Sequence, residues 1–192
     1  MSLGCQLREA RLTANLTIAT VAERSGFSPS YISQVERDLA NPSIGAVNRI
    51  ASAIGVRMSA FFAAEFISED EVRPAAVGRS PTGVVLHNRR KRLTYPGSEV
   101  TFELLCPDLQ RSMEVLFSRS PVGTESGDTP ITHLGEECGI VLKGTFELTV
   151  GDETFTLQAG DAIYFDSSKP HSWKSLGPDD AEAIWVITPP HF

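Results

Sequence analysis

Cysteine is scarce in this chain of 192 residues. The three cysteines, Cys5, Cys106 and Cys138, are odd in number, far apart in sequence and form no CxxC pair. This spacing excludes a disulfide framework and a cysteine-rich zinc site. It also predicts a protein of the reducing cytoplasm.

Long hydrophobic runs are absent as well. No apolar stretch approaches the roughly 20 residues that cross a bilayer, and no basic, apolar and small-residue pattern of a secretory signal begins the chain. A hydrophobic content of 41% with 21% charged residues is typical of globular proteins and excludes a disordered or collagen-like chain. We expect a soluble, cytoplasmic protein with no membrane partner, built from one large domain or two small ones.

Positive charge is in deficit and unevenly distributed. Lysine and arginine total 17 against 24 acidic residues, so the net charge is −7. Residues 1–64 hold six arginines and four acids, a net charge of +2, whereas residues 65–192 hold eleven bases and twenty acids, a net charge of −9. The asymmetry indicates two domains with different partners, of which only the first tolerates a polyanion.

Helix signals dominate residues 1–64. Thr17 is placed to cap a second helix, Ser25-Gly26 to end it, and Ser28, followed by Pro29, to cap a third. Asn41-Pro42-Ser43 starts a fourth helix that Gly55 ends, and Met58 to Phe62 would form a short fifth. The pattern predicts a compact five-helix domain.

The pattern changes after residue 64. Acidic residues followed by a Gly/Ser/Pro-rich stretch predict a linker over 65–83. Residues 84–192 then show about eight short β-rich runs separated by turn signals, which predicts a β-sandwich or barrel. The predicted strands are 84–86, 100–105, 113–117, 140–142, 146–150, 154–157, 162–165 and 183–187.

A helix that ends in Ser25-Gly26 and is followed at once by a capped helix forms a helix-turn-helix arrangement. Residues 3–63 resemble the Cro/C1 (Xre) family of phage-repressor-like helix-turn-helix domains, most closely from Thr17 to Arg37. The third helix would then enter the major groove, where Gln bonds adenine and Ser bonds several base edges. The predicted DNA-binding residues are Ser28, Ser30, Tyr31, Ser33, Gln34 and Arg37.

Three further expectations concern the same domain. The resemblance implies that Arg11 and Glu36 form a structural ion pair, and Ile18 replaces a glutamine that relatives place on a phosphate. The modest charge of +2 limits nonspecific affinity, so we expect a homodimer that reads a palindromic operator in double-stranded DNA. The alternative is a helical bundle that binds protein.

Two segments of the β-rich half resemble the cupin motifs, one around His133-Leu134-Gly135-Glu136-Glu137 and one from Gly160 to Trp173. The resemblance implies a double-stranded β-helix, or jelly-roll barrel, with an internal pocket. The fold class is therefore α+β multidomain, with an all-α helix-turn-helix domain at 1–64, a linker at 65–83 and a cupin sensor and dimerisation domain at 84–192.

The cupin resemblance also assigns a pocket. His133, Glu137 and His171 match three of the family's four metal ligands, whereas Ile131 stands in place of the first histidine. Two histidines and a carboxylate are compatible with one divalent ion, Zn(II), Fe(II) or Mn(II), and equally with a metal-free pocket that binds an effector through hydrogen bonds. Trp173, two residues after His171, is predicted to face the same pocket.

The leading functional hypothesis is a sequence-specific transcriptional regulator whose cupin domain binds a small-molecule effector, and not an enzyme. The alternative is a mononuclear non-haem metal enzyme, similar in layout to the helix-turn-helix/cupin epoxidases, that uses His133, Glu137 and His171. A third alternative is a DNA-binding protein whose β domain only oligomerises.

Overall fold

The computed structural model describes residues 2–61, 63–66, 83–94 and 99–191. Four α-helices lie in its N-terminal part, and each begins at a side-chain cap. Ser2, Thr17, Ser28 and Ser43 each accept a hydrogen bond from a backbone N–H of the first turn, which satisfies one otherwise unpaired donor. The helices are α1 (Leu3–Thr13), α2 (Ile18–Ser25), α3 (Pro29–Glu36) and α4 (Ile44–Ile54).

The prediction of a fifth helix was wrong. Met58–Phe61 is a single 3-10 turn, and Phe62 lies outside the described residues. Four residues are too few to sustain the i to i+4 hydrogen bonds of an α-helix. The four helices bury one shared apolar core that includes Leu7, Val21, Ile32 and Val47.

Within the described residues, ten strands follow the helices. They are β1 (Ala63–Phe66), β2 (Lys91–Thr94), β3 (Thr101–Leu104), β4 (Glu114–Ser120), β5 (Glu136–Lys143), β6 (Thr145–Val150), β7 (Glu153–Gln158), β8 (Ala162–Asp166), β9 (His171–Leu176) and β10 (Ala181–Thr188). Seven of the eight predicted strands correspond to strands in this list. The eighth, at 84–86, is irregular backbone that leads into a 3-10 turn.

Three strands were missed because their sequences carry weak strand signals. The strand β2 overlaps a basic run, β9 reads His-Ser-Trp-Lys-Ser-Leu, and β1 crosses the predicted domain boundary at 64/65. Each takes its extended form from pairing, β1 with β2 and β9 with β6. The predicted linker at 65–83 lies mostly outside the described residues.

The strands form two open antiparallel sheets, so the expectation of a closed barrel was wrong. One sheet has the order β1-β2-β3-β4-β10-β5-β8 and the other the order β7-β6-β9. Closing a barrel requires edge strands to pair along their length. Within the described residues, the pairings outside the named strands are only the bridges Ile131–His171 and Glu125–Lys174. The sheets enclose a core that includes Phe146, Leu148 and Trp185, and no described helix is long and apolar enough to span a membrane.

Candidate functional site

The turn between α2 and α3 has the geometry of a helix-turn-helix. Gly26 ends α2 with φ of 72°, a left-handed conformation that glycine adopts without steric cost. Ser28 and Pro29 then start α3. On the far side of the turn, the guanidinium of Arg49 in α4 lies 4.9 Å from the centre of the Phe27 ring. These local contacts set the angle at which α3 leaves α2.

The predicted DNA-binding side chains lie on α3 or at its two caps. Ile32 and Val35 are buried against the helical core, whereas Gln34 lies on the exposed side and its Nε2 donates to Ser30 Oγ at 3.3 Å. Four of these residues are exposed, namely Ser28, Ser30, Gln34 and Arg37. The other two, Tyr31 and Ser33, are half-buried. The surface of α3 is therefore polar and carries donors and acceptors suited to base edges.

Arg11 and Glu36 meet beneath this surface. Arg11 Nε and Nη2 donate to the two Glu36 carboxylate oxygens at 2.6 and 2.8 Å, and both side chains are buried. A third donor, Nη1, bonds the Leu16 carbonyl at 2.9 Å. The hydrogen bond to Glu36 raises the pKa of Arg11. The pair joins α1 to the end of α3 and holds the angle between these helices.

The second site lies between the two sheets, where His133, Glu137 and His171 converge. Glu137 belongs to β5 in the larger sheet, His171 begins β9 in the smaller sheet, and His133 comes from the loop before β5. Glu137 Oε1 lies 2.6 Å from His133 Nε2 and 3.3 Å from His171 Nε2. The potential ligand atoms of the three residues all lie within 4.8 Å of one another.

Each histidine of the cluster is hydrogen-bonded through its Nδ1 atom, and this bond fixes the role of its Nε2 atom. His133 Nδ1 donates to the Leu134 carbonyl at 3.2 Å, and His171 Nδ1 donates to the Lys169 carbonyl at 2.9 Å. In a neutral imidazole the other nitrogen, Nε2, then carries a lone pair. If both imidazoles were neutral, two lone pairs would face the Glu137 carboxylate, so these short contacts require a proton or a cation between the atoms.

The electrostatics of the cluster agree with this requirement. Burial opposes ionisation of Glu137, but hydrogen bonds from His133 and His171 outweigh it and lower the Glu137 pKa to about 2. Burial likewise opposes the charged form of His133, yet the hydrogen bond to Glu137 leaves the His133 pKa raised. The cluster is an ionised carboxylate that attracts positive charge.

The donor set fits a divalent metal ion. Two imidazole nitrogens and one carboxylate with open positions suit Zn(II), Fe(II) or Mn(II). Histidine ligands of metals usually donate their second ring N–H to a carbonyl or carboxylate, as His133 and His171 do here. Ile131 stands where the cupin resemblance predicts a fourth ligand. It pairs with His171 through two backbone hydrogen bonds and lines the same cavity.

The cavity around the cluster is largely apolar and aromatic. Trp173 lines it, as the sequence predicts, together with other residues of both sheets: Phe102, Leu116, Leu148, Phe165, Trp185 and Ile187. Its volume is about 50 Å³. Because one water occupies roughly 10–15 Å³ of such space, the cavity holds on the order of three to five waters.

Three lining residues lie outside both the β-strands and the two cupin motifs, and the sequence reasoning missed them. Ile44 and Asn48 come from α4 of the helical domain, and His191 comes from the C-terminal segment. The ring of His191 stacks on that of His133 with centroids 3.8 Å apart. Burial and the neighbouring His133 lower the His191 pKa to about 3, so this imidazole is neutral. Neither cupin motif contains these positions, so no motif could have found them.

The chain matches two family models. The first is a helix-turn-helix domain, over residues 2–58, and the second is a cupin domain, over residues 117–187. The matches include α3 and all three residues of the His/Glu/His cluster.

Several relatives match this chain over most of their length. The HTH-type transcriptional regulator PuuR of Escherichia coli is 28% identical over 190 residues, which cover 98% of this chain and 96% of PuuR. The E. coli regulator SutR is 23% identical over 175 residues, which cover 91% of this chain and 88% of SutR. The crystal structure of an HTH_3 family regulator from Vibrio cholerae has a TM-score of 0.67 at 21% identity over 97% and 94% of the two chains.

Proposed function

We propose that this chain, which belongs to the helix-turn-helix transcriptional regulators with a C-terminal cupin domain, binds a palindromic operator as a homodimer. In this proposal the cupin domain senses a small-molecule effector in the cytoplasm. The observation that carries the DNA-binding role is the polar outer surface of α3, which holds Ser30 and Gln34 beside the turn at Gly26. Two such helices about 34–36 Å apart would contact successive major grooves.

Selection of binding sites from random duplex DNA tests this role. The purified full-length chain is incubated with the DNA pool at low and at physiological salt, and bound fragments are sequenced. Enrichment of one inverted repeat, with half-sites about one helical turn apart, would support a dimeric regulator. Failure to enrich any sequence at low salt would contradict it.

We propose that residues 1–64 are the DNA-binding part and residues 84–192 the sensing part. The strand β1, at residues 63–66, pairs with β2 at the edge of the larger sheet, so it belongs structurally to the sensing part. The roles of Ser28, Ser30, Tyr31, Ser33, Gln34 and Arg37 at the operator belong to the same proposal.

We also propose that the pocket holds one divalent metal ion on His133, Glu137 and His171. Their converging nitrogen and oxygen atoms and the outer hydrogen bonds of both histidines support this assignment. A bound ion would supply a Lewis-acidic anchor for an effector with a carboxylate or another oxygen donor. The chain's own contribution is the aromatic wall, including Trp173, that keeps bulk water from that anchor.

Homodimerisation has a candidate surface on the larger sheet. Its outer face carries two rows of apolar side chains across β4, β10, β5 and β8, which are Phe117, Ile184, Ile140 and Ala162 in one row and Val115, Val186, Cys138 and Tyr164 in the other. All are partly or fully exposed. An antiparallel sheet normally keeps one polar face toward water, so this face suits a second copy of the chain.

A regulatory function is favoured over the epoxidase-like alternative. PuuR and SutR match most of this chain, and both are named as transcriptional regulators. The same His/Glu/His cluster then serves binding of an effector and not turnover of a substrate.

A further inference from the structure

The cavity has a wall that the cupin fold does not supply. Ile44 and Asn48 lie one helical turn apart on α4, and both line the cavity opposite the residues of the β domain. Asn48 is only 3% exposed, although asparagine usually lies at the surface. The helix that follows the DNA-recognition helix therefore covers the His/Glu/His cluster.

A continuous series of contacts joins α4 to the cluster. His191 Nε2 donates to Asn48 Oδ1 at 2.8 Å. The His191 ring stacks on His133, whose Nε2 lies 2.6 Å from Glu137 Oε1. Any group that enters the cavity beside His133 therefore meets His191 and, through it, Asn48.

The start of α4 is seated closely on the β domain. Gly45 N donates to the Ser126 carbonyl at 3.3 Å, and a Cβ atom at position 45 would collide with the Thr129 carbonyl. Arg57, just beyond α4, bonds the Leu109 carbonyl. The start of α4 is therefore fitted closely against the β domain, so a ligand that needs more room on this side of the cavity has to move α4.

The size of the cavity separates two kinds of occupant. At about 50 Å³ it accommodates an ion with a few waters, but not an organic molecule of several heavy atoms. A larger occupant has to displace side chains of the wall. The sheets are held by backbone hydrogen bonds on both sides of the cavity, whereas α4 is held by side-chain packing and a few hydrogen bonds.

We propose that α4 is the lid of the effector pocket, and that an organic effector binds by displacing Ile44 and Asn48 so that the helix-turn-helix domain undocks. Because Val47 and Ile50 of α4 pack in one core with Val21 and Ile32, the lid carries α3 with it. Effector binding then changes the placement of the two recognition helices of a dimer, which alters operator affinity. This inference rests on the proposed sensing role of the cupin domain.

The variant Ile131→Trp tests the inference without an identified effector. Ile131 lines the cavity from the β domain, so the larger indole imitates an occupant. We expect hydrogen exchange of the amides at 44–48 and 126–129 to become about tenfold faster or more, while β10 stays protected. The matched control, Ile131→Leu, keeps the volume and should exchange like the parent. Protected β10 with unchanged exchange in α4 would overturn the proposal.

A second arm decides the matter if Ile131→Trp does not fold. Both tryptophans of the chain, Trp173 and Trp185, line the cavity, so their fluorescence reports on access to it. Acrylamide is a small neutral quencher of tryptophan fluorescence. It should quench the fluorescence of Asn48→Ala more strongly than that of the parent, because loss of the hydrogen bond to His191 loosens α4 over the cavity. Ser52→Ala, on the exposed side of α4, is the control. Equal quenching of all three proteins would overturn the lid.

The two proposals fail separately. Exchange and quenching are measured on the full chain without DNA, so they do not depend on an operator. A moving lid in a chain that selects no DNA sequence would contradict only the regulatory role. If the chain selects an inverted repeat but α4 does not move, only the proposed coupling between the pocket and the helix-turn-helix domain is contradicted.

Discussion

Asn48 and His191 are 143 positions apart in sequence, and their side chains are hydrogen-bonded at 2.8 Å. The bond connects the helix behind the recognition helix with the ring that stacks on a residue of the His/Glu/His cluster. The pocket is thus linked through His191 and Asn48 to α4, whose buried side chains share one apolar core with those of α3.

The substitution Gly45→Ala tests whether α4 docks on the β domain in solution. Alanine favours a helix over glycine by at most about 1 kcal/mol, but its Cβ would collide with the Thr129 carbonyl. Overpacking of this kind costs about 1–3 kcal/mol, so we expect a lower free energy of unfolding in urea titrations. The control Ser52→Ala raises helix propensity at an exposed site and should not destabilise the chain. Stabilisation by both substitutions would mean that the helix is not docked.

The substitution Ile131→His should strengthen metal binding. Position 131 lies opposite His171 and lines the cavity, so a histidine there could complete a four-ligand set. We expect Zn(II) affinity, measured by isothermal titration calorimetry, to rise about tenfold or more, which corresponds to 1.4 kcal/mol. Ile131→Leu is the control. Affinity equal to that of the control would mean that position 131 does not reach the ion.

Breaking the ion pair between Arg11 and Glu36 should destabilise the helical domain. Glu36→Gln leaves the buried Arg11 guanidinium without a charged partner, which we expect to cost about 3 kcal/mol. The double variant Arg11→Met/Glu36→Leu removes both charges and should unfold close to the parent. The measurement is thermal unfolding followed by circular dichroism. A single variant as stable as the parent would refute a structural role for the pair.

The substitution Gln34→Ala should weaken binding to the selected operator. The Gln34 amide is exposed on α3 and is suited to bidentate bonds with adenine. Its loss should cost about 1–3 kcal/mol and relax the preference for one base pair. The measurement is fluorescence anisotropy with operator variants at fixed salt. Gln158→Ala, on the exposed β7 strand, is the control. Unchanged affinity and base preference would remove Gln34 from the contact surface.

The substitution Ile140→Lys should weaken homodimerisation. Ile140 lies in the middle of an apolar row on the outer face of the larger sheet. A lysine side chain at this position would place a charge within the proposed interface. Sedimentation velocity over a range of concentrations should show a dissociation constant at least about tenfold higher, equivalent to 1.4 kcal/mol. Phe155→Lys, exposed on the smaller sheet, should leave it unchanged. Equal association of both variants would place the interface elsewhere.

Much of the helical domain could be predicted because its signals are local. Thr17, Ser28 and Ser43 cap the helices that follow them within three residues, and Gly26 ends α2 by its own backbone conformation. The expected fifth helix was wrong because four residues after Arg57 make only a 3-10 turn. In the β domain, the runs with alternating apolar residues were predicted well, whereas β1, β2 and β9 depend on pairing with partners.

The His/Glu/His cluster was only partly accessible to the same reasoning. The motif order pointed to His133, Glu137 and His171, but their meeting around one carboxylate oxygen depends on two sheets facing each other. Spacing along one strand does not establish that contact, because His133 lies in a loop and not on β5.

The sequence by itself determined the helix-turn-helix, since capping and turn formation depend on residues within a few positions of one another. It also determined which three residues are candidates for the metal. Only the tertiary structure decided that Ile44 and Asn48 of the DNA-binding part line the pocket beside His191. The physical reason is that this wall arises from packing between distant segments, and the period of a helix shows that a face is buried but not which surface buries it.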